Sequence, residues 1–241
     1  MSTWVILRRE IAHYFGSPFA YLIGFAFLVF TGLVFTQEIE VVSTAQTIAN
    51  PAIIPTTLAL LLVFIAPLLT MRLLAEERRE GTLELLLTAP VPDGAIVIGK
   101  FLGAWFYYTA LLLITLAYQF VLAAITQPDF GHTIGAYLGI WLYGGATLAV
   151  GLFFSSLTEN QIVAAFFSMI TLLLLWLADG AGRVIGNIEV ARVVRTLSLQ
   201  AHYAPSFGFG LIKMEDIAFF LGIIVIMLYL SIRALESARW R

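Results

Sequence analysis

Six stretches of this sequence are each long and apolar enough to cross a hydrocarbon layer as a helix, which takes about 20 mostly apolar residues for a layer roughly 30 Å thick. Of the 241 residues, 61% are hydrophobic and 12% are charged. A soluble domain carries roughly 25% charged residues, so too few remain here to cover a water-exposed surface. We therefore predict an all-α membrane protein that forms a single domain over residues 1–241. Its spans are predicted at about 19–35, 55–74, 101–125, 134–157, 162–178 and 217–235.

The distribution of lysine and arginine predicts the orientation of these spans. With the N-terminus in the cytoplasm, nine basic residues fall in inner segments and four in outer segments. All four outer ones lie in the long connection 179–216, and the other two outer loops contain none. Because short cytoplasmic loops are enriched in basic residues, we expect both termini to be cytoplasmic. An even number of spans agrees with this orientation.

Several function classes are excluded or disfavoured by what the sequence lacks. A net charge of −2 without a basic run argues against nucleic-acid binding, and the absence of cysteine excludes thiolate sites. The three histidines form no ligand-spaced pair, and no phosphate loop or hydrolase motif occurs, so we expect no catalysis, metal or cofactor in this chain. The predicted spans hold ionisable residues only at their inner ends, Arg72 and Arg233, which disfavours an ion-coupled carrier.

Two amphipathic or polar patterns accompany the spans. In segment 2–15, Trp4, Leu7 and Ile11 recur at helical spacing with Tyr14 or Phe15, which predicts an inner interface helix; the alternative is a cytosolic tail. The charged residues of this predicted helix are Arg8, Arg9 and Glu10. Polar residues inside the spans either line a pathway or serve close helix packing, as do the glycine pairs Gly99/Gly103 and Gly135/Gly139. The pathway candidates are Thr109, Gln119, Thr147, Ser155 and Ser168.

The inner connection 75–100 combines a charged stem with an apolar helix. Gly81 breaks the stem, Thr82 can cap a new helix, and Glu84 falls in its first turn, where the helix dipole favours an anion. Leu83, Leu86 and Leu87 then share one face before the prolines that follow. Such a helix buries its leucines either on the membrane surface or in a groove of another protein. The stem carboxylates indicate a solvated helix end rather than an acid–base site.

The motif A-E-E-R-R-E-G-T-L-E-L-L-L-T-A-P-V at 75–91, followed by I-V-I-G-K-F-L-G-A-W at 96–105, resembles the loop between the second and third helices of ABC-2 type transporter permeases. The similarity is closest to the gliding-motility type of permease. It extends to the segments 8–21, 151–164 and 198–203, and so covers almost the whole chain.

This resemblance implies six spans, an N-terminal interface helix and a permease dimer of identical or paralogous chains in the bacterial inner membrane. It also implies docking on separate ATP-binding-cassette subunits, which bind ATP and Mg²⁺. The family's outer connection often returns into the membrane, and Val190, Val193, Val194 and Leu197 suit an interfacial or re-entrant helix. The residues expected to contact the ATPase are Glu80, Gly81, Thr82, Leu83, Glu84, Leu86 and Leu87.

Two functions from different classes remain open. The first is the membrane subunit of an ATP-driven exporter, whose partners are the ATPase, a second permease copy and membrane lipid. The alternative is a membrane anchor that relays ATPase motion to periplasmic machinery bound at the 179–216 connection, without moving a solute.

Overall fold

The computed structural model describes residues 2–45, 50–83, 91–125 and 129–239, and all regular structure in these ranges is helical. Six of its helical segments are long and apolar enough to span a membrane, which confirms the predicted all-α architecture with six spans. The helices are α1 (Ser2–Gly16), α2 (Pro18–Ala45), α3 (Ile53–Thr70), α4 (Ala75–Arg79), α5 (Asp93–Ile125), α6 (Phe130–Leu157), α7 (Gln161–Val184), α8 (Ile188–Thr196), α9 (Leu199–Tyr203), a 3₁₀ turn (Phe207–Phe209) and α10 (Met214–Arg239).

The first span is longer than its apolar stretch predicts. Helix α2 continues ten residues beyond position 35 and carries Glu38 and Glu40 near its end. Glu40 is exposed and Glu38 is partly exposed, so neither carboxylate is fully buried and the helix can extend past the apolar segment. The predicted outer loop after position 35 therefore begins as a continuation of α2.

The second span is interrupted where sequence reasoning predicts a continuous helix to residue 74. Helix α3 contains Pro67, which cannot donate an intrahelical hydrogen bond, and α3 ends at Thr70. The chain then turns through Met71–Leu74 before α4 begins. Ser155 of α6 stabilises this break, because its hydroxyl accepts hydrogen bonds from the backbone N–H groups of Leu74 and Ala75 at 3.1 Å and donates to the Met71 carbonyl at 3.0 Å.

Helices α6 and α3 form the centre of the bundle. In the most apolar 18-residue stretch of each helix, 78% of the residues of α6 and 67% of those of α3 are buried, against 22% for α7 and 17% for α10. Side chains such as Phe166 and Val225 on the outer helices remain exposed although they are apolar. Apolar side chains therefore lie both inside the bundle and on its surface, which is expected when lipid replaces water as the solvent.

Side-chain caps explain why several helices begin after very short connections. Asp129 accepts hydrogen bonds from the N–H groups of Gly131 and His132 at the start of α6. Asn160 does the same for the first residues of α7, and Asn187 for those of α8. These caps satisfy N–H groups that lack an intrahelical partner. With Asn160 as the cap, three residues join α6 to α7 as an antiparallel hairpin.

The long connection between α7 and α10 packs partly into the bundle. Phe207 is fully buried against α6, where a Cβ added to Gly139 would lie 2.3 Å from the Phe207 Cβ. Tyr203, also fully buried, makes an edge contact with Tyr143 at 5.9 Å between ring centroids. Helix α8, in contrast, has no buried residue. The turn that follows α9 therefore packs closely against the side of α6 where Gly139 has no side chain.

Candidate functional site

A buried ion network joins three helices at the end of the bundle where α3 gives way to α4. The Lys100 ammonium of α5 lies 2.9 Å from Glu10 Oε1 of α1 and 2.9 Å from Glu77 Oε1 of α4. Arg9 of α1 adds a longer contact of 3.4 Å to the same Glu77 oxygen. One carboxylate of the charged stem is thus held by cations from two other helices.

The network is shielded from solvent and electrically balanced. The side chains of Lys100, Glu10 and Glu77 are exposed by 3%, 6% and 10% respectively, whereas that of Arg9 is 62% exposed. Two cations balance two carboxylates, although the Arg9 guanidinium does so from the surface and only the Lys100 ammonium is buried with them. Removing one partner of such a group leaves an uncompensated buried charge, which typically costs about 3–5 kcal/mol. The network therefore favours one relative arrangement of α1, α4 and α5.

Close approach of α1 to α5 depends on two glycines. A Cβ added to Gly99 would lie 2.7 Å from Ile6 Cγ2, and one added to Gly103 would lie 2.6 Å from Glu10 Cβ. Ile6 and Glu10 are one turn apart on α1, as Gly99 and Gly103 are on α5. The glycine pair thus serves helix packing, and it brings the Glu10 carboxylate within reach of Lys100.

Tyr14 fastens the other end of α1 to α3. Its hydroxyl donates a 2.7 Å hydrogen bond to the Leu69 carbonyl, near the end of α3. Burial, together with the negative charge of Glu10, raises the pKa of Tyr14 well above its ordinary value. The phenol therefore stays protonated and keeps donating this bond at physiological pH.

A left-handed turn redirects the chain after α4. Gly81 has a φ of 73°, a conformation that costs other residues about 1–2 kcal/mol. The Thr82 hydroxyl then donates to the Glu77 carbonyl at 3.3 Å, and Leu83 is buried with 4% exposure. Glu80 is exposed beside the turn. Glu84, Leu86 and Leu87, the remaining predicted contacts with a partner, lie outside the described residues.

Comparison with known proteins identifies the family of this chain. Residues 36–235 match the family model described as ABC-2 family transporter protein. The chain belongs to the ABC-2 transporter family. It is therefore a multi-pass membrane subunit of an ABC transporter, whose family implies partnership with an ABC ATPase subunit. No curated protein matches the permease. The matched range includes Glu77 and Lys100 of the ion network and begins after Glu10.

The network contains two permease residues that sequence reasoning did not select. Glu77 belongs to a stem predicted as a solvated helix end, and Lys100 counts there only toward the orientation. Of the predicted interface-helix residues, Glu10 is buried, Arg9 pairs with Glu77 and Arg8 is exposed. The sequence does contain one sign of the network. Lys100 is a single cation near the start of an apolar span, and it lies between the two glycines that contact α1.

The face of α1 that packs against the rest of the permease also differs from the apolar face that the sequence predicts. Ile6, Glu10 and Tyr14 are buried at successive turns, whereas Trp4 is 69% exposed. Trp4 is thus free to contact lipid, as an interface helix requires. The predicted membrane-interface position of α1 stays a prediction.

The candidate pathway residues are distributed over several helices of the permease. Thr147, Ser155 and Ser168 are buried, and the Thr147 and Ser168 hydroxyls donate to carbonyls of their own helices. Gln119 is buried and donates to the Pro51 carbonyl at 3.1 Å. Thr109 is half-buried and accepts from the Trp141 indole at 2.9 Å. A pathway role for these residues stays a prediction.

Proposed function

We propose that this chain is the permease of an ABC exporter and that its ATPase docks on the loop between α4 and α5. The observation that carries the proposal is the contact of Glu77 with Lys100 at 2.9 Å, because α4 leads directly into this loop. Force applied to the loop by a partner would act on α4 and, through the ion pair, on α5. ATP and Mg²⁺ would be bound by the partner, not by this chain.

Several contacts would spread such a movement through the permease. Glu10 and Arg9 connect the network to α1, and Ser155 connects the start of α4 to the central helix α6. Buried, hydrogen-bonded groups favour discrete arrangements over gradual deformation, which suits a transporter that alternates between two states. Two permease copies, identical or paralogous, would form the pathway between them. In this proposal both termini face the cytoplasm of a bacterium.

The finer assignment to the gliding-motility type of permease belongs to the same proposal. It rests on the loop motif at 75–91 and on the segments 8–21 and 198–203. Two of these segments also meet in the structure, where Glu10 and Glu77 share the ammonium of Lys100.

Purification of the tagged permease from its native membranes tests the docking site. We expect an ATPase to co-purify with the wild type and to be lost from Leu86→Asp, because a carboxylate in a surface predicted from the sequence to be apolar opposes burial in a partner. Leu197→Asp, an exposed position next to α8, is the matched control and should retain the ATPase. Absence of any ATPase from the wild type, or its retention by Leu86→Asp, would overturn the proposal.

Helix α8 favours the second candidate function, transmission of ATPase motion to an outer protein. Val190, Val193 and Leu197 are 48%, 59% and 56% exposed, so this helix has an apolar face uncovered within the described chain. The sequence has no cysteine, so a cross-linker attached to Val193→Cys reports on this surface alone. An outer protein that cross-links here and is required for ATP hydrolysis supports transmission. ATP-driven solute movement in liposomes without such a protein supports export.

A further inference from the structure

A cavity of about 480 Å³ lies between α1, the beginning of α2 and the end of α3. Its volume is within the roughly 300–1,000 Å³ of small-molecule sites and exceeds what a single ion or a few waters would fill. One end is lined by charged groups of α1 and α4, and the other by Ala20 and Ile23 of α2 and Leu68 of α3. The cavity is therefore amphiphilic, with its polar end beside the ion network.

Two buried polar atoms in the lining residues have no hydrogen-bond partner in the part of the chain that the structure describes. One is the acceptor Glu77 Oε2, on a residue that is 8% exposed. The other is the donor Arg72 Nε. Buried polar groups are nearly always hydrogen-bonded, so an unpaired donor and an unpaired acceptor at one cavity indicate a ligand that offers both an acceptor and a donor.

The arginine is positioned for such a ligand. Its guanidinium carbon lies 4.2 Å from the centre of the Phe19 ring, in the first turns of α2, and no carboxylate of the described residues pairs with it. A cation–π contact orients the guanidinium plane but leaves its N–H groups available. Guanidinium groups bind phosphate oxygens with two parallel hydrogen bonds, which makes a phosphate the best-matched acceptor.

The charges of the lining select the rest of the headgroup. Four carboxylates, Glu10, Glu76, Glu77 and Glu80, face three permanent cations, Arg9, Arg72 and Lys100. An anionic lipid would add negative charge to a lining that already has one excess carboxylate. A zwitterionic headgroup adds no net charge, and a primary ammonium on it can donate to Glu77 Oε2, whereas a trimethylammonium has no N–H to donate.

We propose that this cavity binds the phosphoethanolamine headgroup of a membrane phospholipid, with phosphate at Arg72 and ammonium at Glu77. The apolar end of the cavity, at the membrane-embedded turns of α2 and α3, accommodates the beginning of the acyl chains. The site needs neither the ATPase nor a transport direction, so it stands or falls independently of the function proposed above.

Native mass spectrometry of the chain released from nanodiscs tests the headgroup. The nanodiscs contain equal amounts of phosphatidylethanolamine, phosphatidylcholine and phosphatidylglycerol with the same acyl chains. We expect about tenfold more phosphatidylethanolamine adduct than either other adduct, the effect of one charge-assisted hydrogen bond. Equal adducts of the three lipids would overturn the proposal, and this comparison needs no variant.

Arg72→Gln tests the position of the site, with Arg233→Gln as the matched control. Both arginines lie at the inner end of a predicted span, but Arg233 is exposed and pairs with Glu236 at 2.9 Å, away from the cavity. We expect Arg72→Gln to reduce the phosphatidylethanolamine adduct about tenfold and Arg233→Gln to leave it unchanged. Equal retention by the two variants would contradict the site. If soluble phosphoethanolamine displaces the lipid as efficiently as a short-chain lipid does, the site binds free phosphoethanolamine and the proposal that its ligand is a lipid is overturned.

Discussion

Lys100 Nζ lies 2.9 Å from Glu77 Oε1 and at the same distance from Glu10 Oε1, so one buried ammonium joins the start of α5 to both α4 and α1. We expect Lys100→Met to destabilise the fold by about 3–5 kcal/mol, because two buried carboxylates lose their shared cation. The free energy of unfolding in detergent micelles measures this. Lys213→Met is the control, since Lys213 is half-exposed and 3.8 Å from Glu215. A similar small loss in both variants would show that the network contributes little.

Ser155 and its neighbour Ser156 provide a matched pair for the break between α3 and α4. Ser155→Ala removes an acceptor from two backbone N–H groups and a donor from the Met71 carbonyl, so we expect a loss of about 1–3 kcal/mol. Ser156 is equally buried, but its hydroxyl donates only within α6, to the Phe153 carbonyl. Ser156→Ala should therefore cost less. The free energies of unfolding of both variants, measured under the same conditions, test this. A larger loss of stability in Ser156→Ala would contradict the role of Ser155.

Substitution of Gly103 should separate α1 from α5. A Cβ at this position would lie 2.6 Å from the Glu10 Cβ, so Gly103→Ala is expected to destabilise the docked helix by about 1–3 kcal/mol. Faster proteolysis of the N-terminal segment reports this directly. Gly222 of α10 has no atom within 4 Å of an added Cβ, and Gly222→Ala should leave proteolysis unchanged. Equal proteolysis of the two variants would mean that α1 does not depend on the glycine contact.

Tyr14 predicts a stability change at alkaline pH. Its pKa in the folded state is raised, chiefly by burial, above its ordinary value of about 10, so folding disfavours the phenolate. Below about pH 10 the stability that Tyr14 adds relative to Tyr14→Phe should be constant. As the pH rises above that value, the unfolded chain ionises first and the difference should shrink. Urea unfolding of both proteins between about pH 8 and 11 measures this, and a difference that grows with pH would reverse the assignment.

The absence of native cysteine allows the predicted orientation to be tested by single-cysteine labelling. Ser43, Glu159 and Ser237 are exposed and lie near the ends of α2, α7 and α10 respectively. With both termini in the cytoplasm, a membrane-impermeant maleimide should label Ser43→Cys in intact cells. Glu159→Cys and Ser237→Cys should react only after the membrane is opened. Labelling of Ser237→Cys in intact cells would exclude the predicted orientation.

The sequence predicts the spans well because a long apolar stretch needs no knowledge of its neighbours. It predicts the ion network poorly, because Glu10 and Lys100 are separated by 90 positions and only the packed helices bring them together. The same limit applies to Arg72, whose Phe19 contact joins two different spans. The end of α3 at Thr70 was missed for a related reason: the partner of the broken backbone is Ser155, on another helix.

The docking of α1 against α5 has a consequence for how the protein is made. Helix α1 leaves the ribosome before α5, but the glycines that receive it and the lysine that neutralises Glu10 belong to α5. During synthesis α1 therefore has no place to bury the Glu10 carboxylate until α2 and α3 have been made and the start of α5 has followed them. Docking of α1 therefore indicates that the chain has been inserted as far as α5, so a helix that is made before α5 becomes a late marker of correct insertion.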